Sequence, residues 1–488
     1  MKHSLARILA PSALVVLLAG CIHAPVPEHT DQPWDPPANA LAPSGIWDDL
    51  RQRQPDLSKP LSLAELTDLA LHNSAITHKA WHDARAASAQ VDKAQGLFMP
   101  ALTANAGGSR AGISGSPSSF NSQTLQYGPG LQMNYLVINF GGGRAAAVEQ
   151  ALQTVYTANH TFNLAIQDTL LGVETAYFNS ISAQAGVEAA LANVADAKKA
   201  LEAAQARNSA GMGTLLDVLQ AQAAYDQSLY NQAAAHGLEQ LARGALALAA
   251  GLPADAPVIP VSPETELPSS LASNEVKRTI DEAIARRSDI AALRTDLAAK
   301  RAAIQVAHAM SWPDLYLNAN LNRNYYESFS GSPQQGDHEW AYGAGFNVQW
   351  DIFDGWQTES QIRTAEEQAQ AAVAVLQQAE LVASADVWTR YQNYETALQK
   401  HTFSVAYSRS ASAARDLASE AYAAGLKTVL DLLTADSQLA TARSQLVASR
   451  QEVFTALANL IYATGRLTAD MPEINGHAQA AAATTSSK

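Results

Sequence analysis

Two histidines have the spacing that most directly suggests metal chemistry. His78 and His82 lie four positions apart in a stretch with helical periodicity, so both side chains could reach one metal ion. No third ligand is evident nearby, and two solvated histidines on a helix are the alternative interpretation. The segments "GGGR" and "GISGS" lack the context of a dinucleotide loop and of a nucleophile elbow. We therefore predict no catalytic residue, no metal and no free cofactor.

Two carboxylates follow glycine turns in segments that repeat each other. The chain reads "AGMGTLLDVLQAQ" around Gly211 and "AGLKTVLDLLTAD" around Gly425, 214 residues later. Asp217 and Asp431 occupy the same place in the two copies, where a negative charge near a helix N-terminus is favourable. The sequence leaves two interpretations open for these carboxylates. They either cap the helix that follows or belong to a charge pair.

The repeated segments belong to a duplication of the whole chain. The stretch "YGPGLQMNY" recurs as "YGAGFNVQW" at a spacing of 215 residues, and Pro100 corresponds to Pro313. One tandem duplication of about 210 residues explains these spacings, whereas a solenoid repeat has roughly 20–50 residues. We place repeat 1 at residues 61–260, repeat 2 at 261–466 and a disordered tail at 467–488.

Composition excludes several classes of protein. The formal net charge of the 488 residues is −14, which argues against a nucleic-acid partner. Charged residues make up 16% of the chain, against roughly 25% in ordinary soluble proteins. The chain nevertheless has no central apolar run long enough to span a bilayer as a helix.

The N-terminus has the features of an export signal that ends at a cysteine. A basic start, a short apolar stretch and "LAGC" precede Cys21, the only cysteine in the chain. An ordinary signal peptide that happens to contain a cysteine is the alternative. "LAGC" resembles a bacterial lipobox, which implies that residues 1–20 are a lipoprotein signal peptide and that Cys21 carries a covalent lipid. Ile22 then implies sorting to the outer membrane, and the proline-rich residues 21–60 form an extended strap.

Each repeat contains two segments with the two-residue period of β-strands, at about 100–110 and 125–138, then 314–326 and 340–352. One face of each has small or amide side chains and the other has apolar or aromatic side chains. This pattern is typical of lipid-facing barrel strands, although a half-buried strand in a soluble sandwich also alternates. Four strands cannot close a barrel, because the smallest barrels need about eight. Two chains would supply eight strands and three would supply twelve, and the small inner side chains favour three.

Short helices precede the strands, and long helical stretches follow them. Ser62 and Glu65 form a capping-box pattern at the first short helix. The long stretches, 144–250 and 357–464, are each interrupted by a glycine turn. At 1.5 Å per residue, the first arm of each is about 100 Å long. Gly211 and Gly425 are therefore predicted to be the tips of two long helical hairpins.

The duplicated plan, the segments "YLVINFGGG" and "WDIFDG", and the two tips resemble the TolC/OprM/NodT-like outer-membrane efflux proteins over roughly residues 60–466. The lipobox matches their acylated branch. The resemblance implies an α+β membrane protein that forms a homotrimer, with a 12-stranded β-barrel continuous with a periplasmic α-helical barrel. It also implies a lipid-anchored, membrane-spanning exit duct that contacts outer-membrane lipid, a periplasmic adaptor (membrane fusion) protein and an inner-membrane pump.

The same resemblance implies a gate at the hairpin tips, formed by Asp217, Tyr422, Lys427 and Asp431. We predict that Lys427 lies near Asp217 of a neighbouring hairpin, with Tyr422 close by. The position of the family's constriction acid is Thr434 here. An acidic ring would therefore be weaker, or would shift to Asp431 or Asp436.

The predicted function is passive export of small molecules through this duct. Two alternatives remain at this stage, which are an outer-membrane conduit for type I protein secretion and a non-conducting structural lipoprotein. The polar inner strand faces favour a conduit over a packed anchor.

Overall fold

The computed structural model describes residues 59–114, 121–261, 276–328 and 337–467. The predicted signal peptide, Cys21, nearly all of the strap and all but one residue of the tail lie outside this part of the chain. The described elements, in chain order, are α1 (Leu63–Asn73), α2 (Ala75–Gly96), β1 (Ala101–Ser114), β2 (Asn121–Asn139), α3 (Gly143–Ser209), α4 (Leu215–Ala249), α5 (Val276–Arg286), α6 (Ser288–Ala309), β3 (Asp314–Ser328), β4 (Asp337–Gln349), α7 (Gln357–Ala423) and α8 (Val429–Ala463).

The start of α1 shows the predicted capping box. The Ser62 backbone N–H donates to Glu65 Oε2 at 2.8 Å, and the Glu65 N–H donates to Ser62 Oγ at 3.3 Å. Two of the otherwise unpaired donors at the helix start are thereby satisfied.

The strands form one antiparallel sheet in the order β1-β2-β3-β4. Gln132 on β2 pairs with Thr103 on β1 and with Asn320 on β3, which places amide and hydroxyl residues in one row. On the alternate positions Leu131 pairs with Leu321, which in turn pairs with Tyr342. The sheet therefore has an amide face and an apolar face, and β1 and β4 are its outer strands.

Three strands differ from the predicted limits. β1 continues to Ser114, beyond its predicted end at about residue 110, because these residues stay paired with β2. β2 begins at Asn121, earlier than predicted, because its polar first residues continue to pair with β1 although they show no alternation. β4 ends at Gln349, earlier than predicted, because the chain turns towards α7 through Gly355 and Trp356, both with positive φ. Asp354 stabilises that turn by accepting the Thr358 backbone N–H at 2.7 Å.

Two helical hairpins follow the strand pairs, α3–α4 and α7–α8, and each has one arm of 67 residues and one of 35. The 67-residue arms are about 100 Å long at 1.5 Å per residue. Small alanine side chains fill much of the buried surface between helices, which lets the helices approach closely. One core cluster contains Val173, Phe178 and Leu246, and a second lies at the hairpin ends around Leu201, Tyr422 and Leu432. In the described part of the chain, no helix is both long enough and apolar enough to cross a membrane.

Candidate gate at the hairpin tips

Both hairpin turns have the same backbone geometry, which favours glycine. Gly211 has a φ of 71°, and its N–H donates to the Asn208 carbonyl at 3.0 Å. Gly425 has a φ of 77°, and its N–H donates to the Tyr422 carbonyl at 3.0 Å. The residue after each glycine donates back to the last turn of the long helix, which completes a Schellman motif. A side chain would strain this left-handed conformation, so both copies have glycine here.

The helix after each turn begins with a capping box. The Thr214 N–H donates to Asp217 Oδ2 at 2.9 Å, and the Asp217 N–H donates to Thr214 Oγ1 at 3.2 Å. Thr428 and Asp431 make the same reciprocal bonds in the second hairpin. The hydrogen bond from the Thr428 N–H lowers the pKa of Asp431. Helix capping, one of the two interpretations of these carboxylates, therefore explains why both copies have Thr-x-x-Asp.

An arginine that the sequence did not single out joins the two tips. Arg207 lies in the last turn of α3, and its Nη1 donates to the Tyr422 carbonyl at 2.7 Å. Its guanidinium also lies over the Tyr422 ring, 5.0 Å from the ring centroid. A cation at a helix C-terminus stabilises the partial negative charge there, so Arg207 of the first hairpin stabilises the end of α7 in the second. The sequence did contain a sign of this role, because Arg207 lies in the last helical turn before the glycine turn at Gly211.

Tyr422 is the predicted gate residue with the most buried position. Its side chain is only 3% exposed and packs in the cluster with Leu201 and Val429. Burial raises the pKa of Tyr422, the positive charge of Arg207 lowers it in part, and the negative charge of Asp217 adds a smaller rise. Its hydroxyl is buried without a hydrogen-bond partner among the described residues. The structure thus brings Tyr422 and Asp217 into electrostatic range across the two hairpins.

Lys427 has a local partner within this chain. Its Nζ lies 3.6 Å from Asp431 Oδ1, one helical turn away, and both side chains are exposed. Among the described residues no ion pair joins Lys427 to Asp217, so their contact between neighbouring chains stays a prediction.

A buried group of charges connects the hairpins above the tips. This inter-hairpin ion cluster consists of Asp196 on α3, Arg415 on α7, and Asp436 and Arg443 on α8. Arg415 contacts Asp436 at 2.9 Å and Asp196 at 3.1 Å, and Arg443 contacts the second oxygen of Asp196 at 2.9 Å. The side chains of Arg415, Asp196 and Asp436 are only 11%, 15% and 12% exposed.

Asp436 is therefore buried in an ion pair, whereas a residue of an acidic ring would line the channel. Its carboxylate lies between the hairpins of one chain and faces Arg415. Burial raises the pKa of Asp436 despite that partner, and Oδ2 is buried with no hydrogen-bond partner among the described residues. The sequence-based suggestion of Asp436 as a ring residue is corrected accordingly. Asp431, the other suggested residue, is exposed at the tip.

The histidine pair does not converge on a common ligand site in the structure. His78 Nε2 lies 2.9 Å from the His72 carbonyl oxygen, and His82 contacts the ring of Trp81. In the part of the chain that the structure describes, no three potential ligand side chains come together.

A duplicated unit of paired strands and a long helical hairpin, with a polar cluster at the tips, defines the class of outer-membrane channels with a helical extension. The family model described as "Outer membrane efflux protein" matches residues 66–252 and 279–466, one range in each repeat. The chain belongs to this family, which confirms the resemblance deduced from the sequence. Members are channel proteins, and no catalytic family is indicated.

Relatives and solved structures agree with this assignment. The chain is 28% identical over 416 residues to protein CyaE of Bordetella pertussis, covering 83% of this chain and 84% of the relative. It is 27% identical over 428 residues to the pyoverdine export outer membrane protein OpmQ of Pseudomonas aeruginosa, covering 86% and 87%. The outer-membrane channel OprN has the same fold, with a TM-score of 0.71 and 21% identity over 87% of this chain and 93% of that one. VceC of Vibrio cholerae has a TM-score of 0.70 and 23% identity over 83% and 96%.

Proposed function

We propose that this protein is the outer-membrane exit duct of a tripartite efflux system. It passively conducts small molecules that a periplasmic adaptor and an inner-membrane pump deliver to it. Membership of the outer membrane efflux protein family supports the channel role. The relative OpmQ, named for pyoverdine export, supports a small-molecule cargo. The relative CyaE supports the alternative, a conduit for type I protein secretion.

The observation that carries the proposal is the four-stranded sheet with β1 and β4 at its edges. An open sheet edge leaves backbone N–H and C=O groups without partners, and this is not tolerated in the hydrocarbon of a bilayer. Pairing β4 of one copy with β1 of the next removes both edges. Three copies give a closed barrel of twelve strands, and the homotrimer is therefore the assembly that we propose.

The amide face of the sheet then lines the lumen. Amide and small side chains dominate the middle of this face, whereas the charged Asp314 and Glu339 lie towards its two ends. The amide residues include Asn105, Gln132, Asn134, Asn318, Asn320, Asn322 and Asn347. Polar interiors are typical of water-filled barrels, and the opposite, apolar face would contact lipid.

Exposed apolar residues on the long helices support the same assembly. Leu238 and Leu241 on α4 are exposed in the single chain, as are Leu381 and Phe403 on α7. Large apolar side chains in such numbers favour burial against another surface. We propose that neighbouring copies cover them in a tube of twelve helices, built from two hairpins per chain.

The tips close this tube in the resting state, in our proposal. Lys427 of one hairpin pairs with Asp217 of a neighbouring chain, close to Tyr422, while Asp431 caps its helix. A docked adaptor separates these weak pairs and opens the duct. Cys21 adds a lipid that anchors the mature chain in the outer membrane.

Two measurements on the purified full-length protein test the proposal. Mass determination in mild detergent should give three chains, and planar-bilayer recordings should show conducting channels. A stable monomer or dimer would contradict the trimer. A trimer without conductance would favour the non-conducting structural lipoprotein instead.

A further inference from the structure

The apolar face of the sheet has an arginine at a defined height. Arg323 on β3 pairs in register with Trp340 on β4, so both side chains lie on the face that also carries Leu321 and Tyr342. The guanidinium lies 4.9 Å from the Trp340 ring centroid and 5.7 Å from that of Tyr325. These two rings hold the charged group in place by cation–π contacts.

The register sets the depth of this arginine. Trp340 lies on β4, and Trp350 directly follows the last residue of β4, ten residues further along the chain. Ten residues span about 34 Å along a strand, and a tilt of roughly 35–45° reduces this to about 25 Å, the height of the apolar band of a barrel. The two tryptophans therefore mark the two edges of the band, and Arg323 lies level with one of them.

That edge is the outer one. The helices adjoin the sheet at the Trp350 end, whereas the opposite strand ends are connected by residues 115–120 and 329–336. With the hairpins in the periplasm, as in the proposed function on which this inference rests, Trp340 lies at the outer leaflet. Stacked Tyr127 and Tyr325 lie at the same end, with ring centroids 5.5 Å apart, as in an aromatic girdle.

No carboxylate among the described side chains forms an ion pair with Arg323. The guanidinium is thus a positive charge, oriented by two rings, on a lipid-facing surface at headgroup level. A guanidinium matches a phosphate in bidentate geometry. We propose that Arg323 with Trp340 and Tyr325 binds the phosphate of an outer-leaflet glycolipid of the lipid A type, while the adjacent apolar face contacts the acyl chains.

The test measures lipid A binding by native mass spectrometry of the intact trimer. Wild-type protein should bind diphosphoryl lipid A about tenfold more tightly than Arg323→Gln, which is the scale of one charge-assisted contact. Arg323→Lys should fall between them, because lysine keeps the charge and loses the fork. Trp340→Leu should weaken binding less than Arg323→Gln, because the charge remains.

Arg85→Gln is the matched control, because Arg85 lies 4.7 Å over the Trp81 ring but is on helix α2. It should bind lipid A like the wild type. Equal binding by Arg323→Gln, or equal binding of dephosphorylated lipid A to the wild type, would overturn the proposal. Binding of inorganic phosphate alone at this site would overturn the lipid assignment. Unchanged conductance of Arg323→Gln separates failure of this inference from failure of the channel proposal.

Discussion

Replacing Arg415 by methionine should loosen the hairpins locally, because it leaves a carboxylate buried without its cation. Arg415 is the direct ion-pair partner of Asp436, whereas Asp196 also has Arg443. Breaking a buried ion pair by removing one partner costs about 3–5 kcal/mol. Because Asp196 keeps a partner, we expect the lower end, about 3 kcal/mol of local opening free energy.

Hydrogen–deuterium exchange of the purified protein measures this local effect. A loss of about 3 kcal/mol corresponds to an approximately 150-fold fall in protection. The fall should be confined to peptides of α3, α7 and α8 around the ion cluster. Peptides around Val173, in the other core cluster, should be unchanged and serve as the internal control.

Asp436→Asn is the matched variant, and its effect should be much smaller. Burial already raises the pKa of Asp436, so the folded chain gains little from its charge. The asparagine also leaves Arg415 paired with Asp196. We expect less than about 1 kcal/mol and partial rescue of Arg415→Met by Asp436→Asn in the double variant.

The pH dependence has a defined sign. A carboxyl group whose pKa is raised on folding makes stability fall as pH rises from 3.8, its ordinary pKa, through the raised value. Without Arg415 the pKa of Asp436 should rise further, so Arg415→Met should lose more protection at pH 8 than at pH 5. Equal losses in Arg415→Met and Asp436→Asn, or equal losses at both pH values, would refute this account of the cluster.

Three further predictions concern other parts of the chain. Burial raises the pKa of Glu174 from 4.5 to about 7, so the free energy of unfolding of the wild type should fall by about 3 kcal/mol between pH 4.5 and pH 7. Glu174→Gln should therefore raise the thermal unfolding temperature at pH 8 but not at pH 4.5. An equal shift at both pH values would contradict this. Lys427→Glu or Asp217→Lys should raise single-channel conductance, because each removes the proposed pair between neighbouring chains; an exposed ion pair contributes about 0.2–1 kcal/mol. Combining Lys427→Asp with Asp217→Lys should restore much of the closure, and unaltered conductance in both single variants would leave these residues with capping roles only. Cys21→Ser should abolish labelling by fatty acid and leave barrel insertion intact, whereas persistent labelling would exclude Cys21 as the lipid site.

The sequence by itself determined the features that depend on neighbouring residues. The two-residue alternation specified which strand face is apolar, and the pairs Ser62–Glu65 and Thr214–Asp217 specified helix starts through contacts three residues apart. Gly211 and Gly425 specified the turns because glycine adopts the left-handed backbone conformation without the strain that a side chain adds. The duplication then gave the order of the elements in both repeats.

Only the tertiary structure decided which polar and charged groups contact each other between the hairpins. Arg207 and Tyr422 are 215 residues apart, and Arg443 and Asp196 are 247 apart. These contacts depend on the rotation and stagger of each long helix relative to the next. The sequence does not predict this rotation or stagger, because α7 has almost no continuous apolar face to indicate which side packs against its neighbours. Asp436 could therefore be assigned to a lumen from the sequence, whereas the packing of α3, α7 and α8 places it between the hairpins, beside Arg415.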